Sequence, residues 1–244
     1  MKILERERLC LELLGKLPKR LVLVGGYATS SFDFPRFSVD LDLVIREKDV
    51  QRFKEVLEKE GFKLTLEFGD FITFYKGRIM RFEKRVDDLP VSVDLLVDMI
   101  QARQTGAAYS FNYLWKNSEL RRVFGSAVKD SVETRVANKE MLIALKINSM
   151  RMADQRDIIA LCNGEVEVTK VVSHMKRAPR DRVLNQINTI LATLEKPESK
   201  DSIKGVFGIP DKAYERMIVK ARREVLAIRD GISGEETIKR RRKK

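Results

Sequence analysis

The first regular pattern along the chain is helical. Leu9, Leu13, Leu14 and Leu17 fall on one face of a helix over residues 4–17, and Pro18 ends it. Leu21-Val22-Leu23-Val24 is then a short, continuous apolar run of the kind a buried strand makes, punctuated by Gly25-Gly26. A short helical segment over 27–32 leads through Pro35 into a second strand over 38–45. Over 48–60 the charges alternate while Val50, Phe53, Val56 and Leu57 share a face, which predicts a helix closed by Gly61. Strand-like pieces follow at 62–68, 71–75, 78–83 and 91–97, with Gly69-Asp70 and Lys76-Gly77 as turns.

After residue 100 the pattern is helical, loosely over 112–116 and then clearly over 138–150, 154–162, 166–177, 181–194 and 211–229. The expected class is α+β, with a mixed-sheet domain over 1–130, an all-helical domain over 131–238 and a basic tail over 239–244.

Composition narrows the field of functions. With 43% apolar and 34% charged residues in 244, the chain can build a core, so disorder is not its dominant state. No apolar run approaches the roughly 20 residues of a membrane span, and the start lacks the apolar stretch of a signal peptide. Cys10 and Cys162 cannot by themselves form a disulfide framework or a zinc site, and a lone histidine, His174, excludes His-based triads. The expectation is a reduced, cytoplasmic protein that does not enter membranes. The net charge of +12 makes an anionic partner reasonable. Residues 165–244 hold 20 Lys and Arg against 12 Asp and Glu, and six of those basic residues are the tail Lys239 to Lys244. A terminal basic run is commonly a solvated tail, so charge alone names no partner.

The informative chemistry lies near the N-terminus. Asp40 and Asp42 stand two apart on a predicted strand and therefore point to one side, while Val39, Leu41 and Leu43 point to the other. Adjacent carboxylates on a strand repel unless a cation or ligand neutralises them, and hard oxygen donors of this kind suit Mg²⁺. Upstream, Gly25-Gly26 lets the backbone approach a phosphate with no Cβ in the way. Either half alone is ordinary: a glycine pair is commonly a turn, and Asp-x-Asp is commonly an exposed strand face.

Together, Val24-Gly25-Gly26 and Asp40-Leu41-Asp42-Leu43, thirteen residues apart, resemble the signature of the DNA polymerase β-type nucleotidyltransferase superfamily. Pro35-Arg36-Phe37-Ser38-Val39-Asp40-Leu41-Asp42 looks more narrowly like the corresponding run of AbiEii-like nucleotidyltransferases, the toxin components of type IV toxin–antitoxin systems. Their helical motif is echoed by Lys146, Arg151, Arg156-Asp157 and Leu161. The sequence departs from that pattern at Tyr27, where a Ser or Thr is usual, and at Ala160, where an Asp is usual.

The resemblance implies transfer of a nucleoside monophosphate from an NTP to an acceptor hydroxyl, an RNA end such as that of a tRNA being favoured. It implies two Mg²⁺ ions (Mn²⁺ being an alternative) about 3.5–4 Å apart. Asp40 and Asp42 would hold both, and a third carboxylate would complete the set. Asp94, inside the apolar run Val91 to Val97, is preferred for that role over Asp98 just beyond it. Gly25, Gly26, Arg36, Ser38 and Lys146 would position the triphosphate. Lys146 and Asp157 lie on one helical stripe and would face the same cleft. An antitoxin partner is a further implication. A nucleotide- or RNA-binding module with a degenerate site is the competing reading, and a protein or a small molecule is an alternative acceptor. His174 reads as a packed or surface helix residue, Cys162 as a small core residue, and Phe111, Tyr113 and Trp115 as a packing cluster.

Overall fold

The computed structural model describes residues 2–32, 34–69 and 77–241. The class is α+β, a mixed β-sheet followed by a helical region. By contacts the chain divides into two units. One holds the chain up to Gln101 together with Ala108–Asn138, and the other holds Ala102–Ala107 together with the chain from Lys139 onward.

The sheet unit begins with α1 (Lys2–Lys16), which buries Cys10, Leu11, Leu13 and Leu14, and Leu17 just beyond it is buried as well. The strand β1 (Val22–Val24) and the helix α2 (Gly25–Ser30) follow without a loop, and α2 is buried along its whole length. Next come β2 (Asp40–Ile45) and α3 (Val50–Lys59), the latter burying Val50, Phe53 and Leu57 as its periodicity requires. The strands β3 (Lys63–Phe68), β4 (Arg78–Val86) and β5 (Leu89–Val97) complete that side of the sheet. The strand expected over 71–75 lies outside the described residues. β4 and β5 form a longer hairpin than the pattern suggested, because Asp87 and Asp88 both adopt positive φ (46° and 31°) and make the two-residue turn.

Past residue 100 the expectation of helices needs correction. β6 (Met99–Gln101) pairs with β7 (Ala108–Ser110), and α4 (Phe111–Lys116) follows. Then come β8 (Ser118–Phe124) and β9 (Ser131–Ala137), both members of the main sheet. The sheet order is β3-β4-β5-β2-β1-β9-β8. Its β2–β5 and β1–β9 neighbours are parallel and the others antiparallel. The sheet thus runs past residue 130, to Ala137. β8 is an edge strand in which Val123 alone is buried, so it shows little apolar alternation. It is held from outside its own sequence. The buried Glu7 of α1 accepts hydrogen bonds from the backbone N–H groups of Ser126, Ala127 and Val128 at 2.7, 2.7 and 3.0 Å, pinning the β8–β9 connection.

The helical unit contains α5 (Lys139–Ser149), α6 (Met152–Leu161), α7 (Val168–Met175), α8 (Arg180–Leu194), α9 (Pro197–Phe207) and α10 (Asp211–Arg241). α9 was not expected, since it buries only Ile203 among its eleven residues and carries a weak apolar stripe. Among the described residues no helix is long and apolar enough to cross a membrane.

Candidate active site

The alternation that placed Asp40 and Asp42 on one side is realised in β2, where Leu41 and Leu43 are fully buried, Asp40 is exposed and Asp42 half-buried. β2 lies between β1 and β5, and this placement assembles the site. Asp42 is the register partner of Val24 on one side and of Asp94 on the other. Asp94 therefore stands beside Asp42 on a parallel neighbour, with Asp40 two residues upstream on the same face. Asp98 plays a different part: at φ 61° its Oδ1 accepts the Glu47 backbone N–H at 3.1 Å.

Each candidate phosphate residue has a defined place. Gly25 has φ +73°, and a Cβ there would fall 1.9 Å from Asp42 Oδ2, so glycine is what lets the carboxylate lie against this backbone. A Cβ at Gly26 would fall 2.8 Å from Arg36 Nη2 and 3.1 Å from Ser38 Oγ. The guanidinium and hydroxyl thus close over the first turn of α2. Ser30 ties that arrangement together, its Oγ accepting the Arg36 backbone N–H at 3.2 Å and donating to the Gly26 carbonyl at 3.1 Å. Tyr27 is fully buried and donates to the Ser38 carbonyl at 2.8 Å, so where a smaller hydroxyl residue is usual this chain has a prop beneath the Ser38 loop. Burial raises the Tyr27 phenol far above its ordinary range and pushes the neighbouring Cys10 thiol up to about 12, which leaves both uncharged.

Two residues that sequence reasoning missed complete the face. Ser92, the register partner of Asp40, donates its hydroxyl to Asp40 Oδ1. Arg81, opposite Asp94 across the β4–β5 pair, grips that carboxylate with Nε and Nη2, each at 2.7 Å. The signal for Arg81 was its strand: at 78–83 it carries Arg81 in phase with Ile79 and Glu83, but only the hairpin register aligns it with Asp94. As the side chains stand, no three His, Cys, Asp or Glu residues among those described form a closed cation-ligand set. The donors are nevertheless hard oxygens on one face of adjacent strands, with Asp42 and Asp94 in register, and the donor chemistry suits Mg²⁺.

Lys146 and Asp157 belong to the helical unit, and they meet across a corner rather than along one helix. α5 ends at Ser149 and Met150 takes φ 47° before α6 begins. Lys146 Nζ lies 2.9 Å from Asp154 Oδ1 and 2.6 Å from Asp157 Oδ2, and all three are buried. Burial by itself would raise the Asp154 carboxyl, but Lys146 and Arg151 outweigh it and hold the group at about 2. His174 takes the packed rather than the surface position, and burial lowers its pKa. Phe111 and Trp115 stack at 5.6 Å between centroids, with the Arg135 guanidinium 4.3 Å over the indole.

No protein-family model and no curated protein sequence matches the chain. Among solved structures it is similar to a candidate nucleotidyltransferase from H. pylori at 14% identity, covering 95% of this chain and 96% of that one, with a TM-score of 0.46. It is also similar to JHP933 from Helicobacter pylori at 13% identity, covering 99% and 97%, with a TM-score of 0.42. Likenesses this distant carry nothing about activity, which has to be argued from the site.

Proposed function

We propose that the chain is a divalent-metal-dependent nucleotidyltransferase that moves a nucleoside monophosphate from an NTP to an acceptor hydroxyl, with an RNA end as the acceptor. One observation carries the reading. Asp42 is in register with Asp94 across parallel strands, and its carboxylate rests against a positive-φ Gly25 where any Cβ would displace it. Asp42 and Asp94 thereby stand side by side near the glycine pair, with Asp40 two residues upstream.

In this reading Asp40, Asp42 and Asp94 would hold Mg²⁺. When bound, the metal neutralises phosphate charge and makes the acceptor hydroxyl easier to deprotonate. Arg36 and Ser38, closed over Gly26, bind the non-bridging oxygens of the triphosphate. Asp94 orients the acceptor hydroxyl and receives its proton. The acceptor oxygen bonds to the α-phosphorus as the bond to the β-phosphate oxygen breaks, and pyrophosphate leaves. The chain contributes positioning and charge complementarity rather than a covalent intermediate. Lys146 is left out of the phosphate set because two buried carboxylates already neutralise it. The excess of basic residues over 165–244 supports an RNA acceptor.

A second reading, a nucleotide-binding module without transfer, is favoured by the Arg81 bond that already occupies Asp94. Incubation with each α-³²P-labelled NTP, Mg²⁺ and total RNA separates the two. We expect label on RNA with the wild type and a loss on the order of 10³-fold in Asp40→Ala plus Asp42→Ala. Gly25→Ala, which displaces the Asp42 carboxylate, is expected to lower the rate about a hundredfold. Label on protein would replace RNA with a polypeptide acceptor. Nucleotide binding without label on RNA or protein would leave the binding module or a small-molecule acceptor.

A further inference from the structure

Arg81 occupies both oxygens of Asp94 with a planar fork that a lysine could not reproduce. The two side chains are 43% and 18% exposed, so the pair sits at the open acid face rather than in a core, where an ion pair stabilises a fold little. Its consequence is for the acids. Asp40, Asp42 and Asp94 bring three negative charges onto two neighbouring strands, and Arg81 sets a positive charge against them. The counter-charge is permanent, because a guanidinium stays protonated at any working pH. With Asp94 turned to Arg81 and Asp40 bonded to Ser92, the acids do not converge as a ligand set.

We propose that Arg81 is the resident counter-ion of this face: it occupies Asp94 until a divalent cation displaces it, and thereby sets how tightly the site takes its metal. The inference rests on reading the face as a metal site. Displacement breaks two hydrogen bonds and no covalent bond, and the freed guanidinium stays tethered to β4. Metal entry at Asp94 is then a competition between two cations for one carboxylate. Removing the resident one tightens the site without adding any ligand.

The test is an electron paramagnetic resonance titration of the full chain with Mn²⁺, without nucleotide, in the wild type, Arg81→Gln, Arg81→Lys and Arg85→Gln, each checked for folding by thermal melting. Arg85 is an exposed cation on the same strand that makes no bond to Asp94. Arg81→Gln is expected to tighten Mn²⁺ binding roughly tenfold, the effect of deleting a partly screened unit charge beside the metal. Arg81→Lys should tighten it less, and Arg85→Gln should stay within roughly twofold of the wild type. Wild-type binding with an equal or weaker affinity in Arg81→Gln overturns the role of Arg81 and leaves the metal site standing. Equal tightening by Arg85→Gln overturns it as well, by showing a general charge effect. Absence of Mn²⁺ binding in both the wild type and Arg81→Gln overturns the metal reading itself, and the proposal with it. Should Arg81→Gln not fold, the same comparison is made with Arg81→Lys.

Discussion

In the sheet unit Asp40, Asp42 and Asp94 share a face with Arg81, and in the helical unit Asp154 and Asp157 share Lys146, with Arg151 on Asp154. The ingredients are nearly the same, yet the settings differ. Lys146, Asp154 and Asp157 are 4%, 0% and 0% exposed, so water contributes little and each charge depends on its partners. At the sheet, Asp40 is exposed and the Arg81–Asp94 pair is open to solvent. The buried cluster is balanced within itself and works as a clasp between two helices. The sheet cluster lies on ordered strands within reach of solvent, where in our reading a cation can compete for its carboxylates. Residue type does not separate a clasp from a site; burial does.

Mutation of the two clusters should therefore give opposite results. Lys146→Met leaves two buried carboxylates short of a cation and is expected to destabilise the protein by about 3–5 kcal/mol, read as a lower denaturation midpoint. Asp40→Asn, which removes a charge at an exposed position and keeps an oxygen for the Ser92 hydroxyl, should change stability by no more than about 0.5 kcal/mol while removing transfer activity. A large stability loss in Asp40→Asn, or none in Lys146→Met, would erase the contrast.

Acid sharpens it next. The folded pKa of Asp154 is lowered from 3.8 to about 2. Its contribution is thus fully present above the unfolded value and is lost as pH falls from about 4 through about 2. The expected loss is about 2 kcal/mol, measured by urea melts at successive pH values. Asp154→Asn should flatten that stretch of the profile.

The smallest expected effect concerns the prop under the sheet site. Tyr27→Phe removes one buried hydrogen bond to the Ser38 carbonyl and should lower stability by about 1 kcal/mol. It should also raise KM for the nucleotide more than it lowers kcat, because the loop carrying Ser38 positions phosphate in our reading. An effect on stability with KM unchanged would confine Tyr27 to packing.

Much of the sheet unit was legible because its signals are local. The apolar face of α1, the Val-rich β1, the glycine pair and the two-residue alternation of β2 each follow from spacing within a few residues. β8 and β9 were not legible: β8 is an edge strand with one inward side chain, and Glu7, more than a hundred residues upstream, holds their connection. The helix pairing of Lys146 was anticipated as a single stripe, whereas the chain turns at Met150 and brings in Asp154 as well. That turn rests on a backbone conformation unusual for methionine, and no residue-type pattern announces it.

By itself the sequence determined which residue types could do chemistry and which side of their own strand they would face, since a strand alternates whatever it pairs with. It determined that Gly25 and Gly26 precede a pair of acids on β2, and that Asp94 lies inside an apolar strand. Only the tertiary structure decided that Asp94 stands beside Asp42, that Arg81 grips it, and that Lys146 is already taken. Strand register and helix corners join residues far apart in the chain, and their free energy comes from burial and pairing that local spacing does not encode.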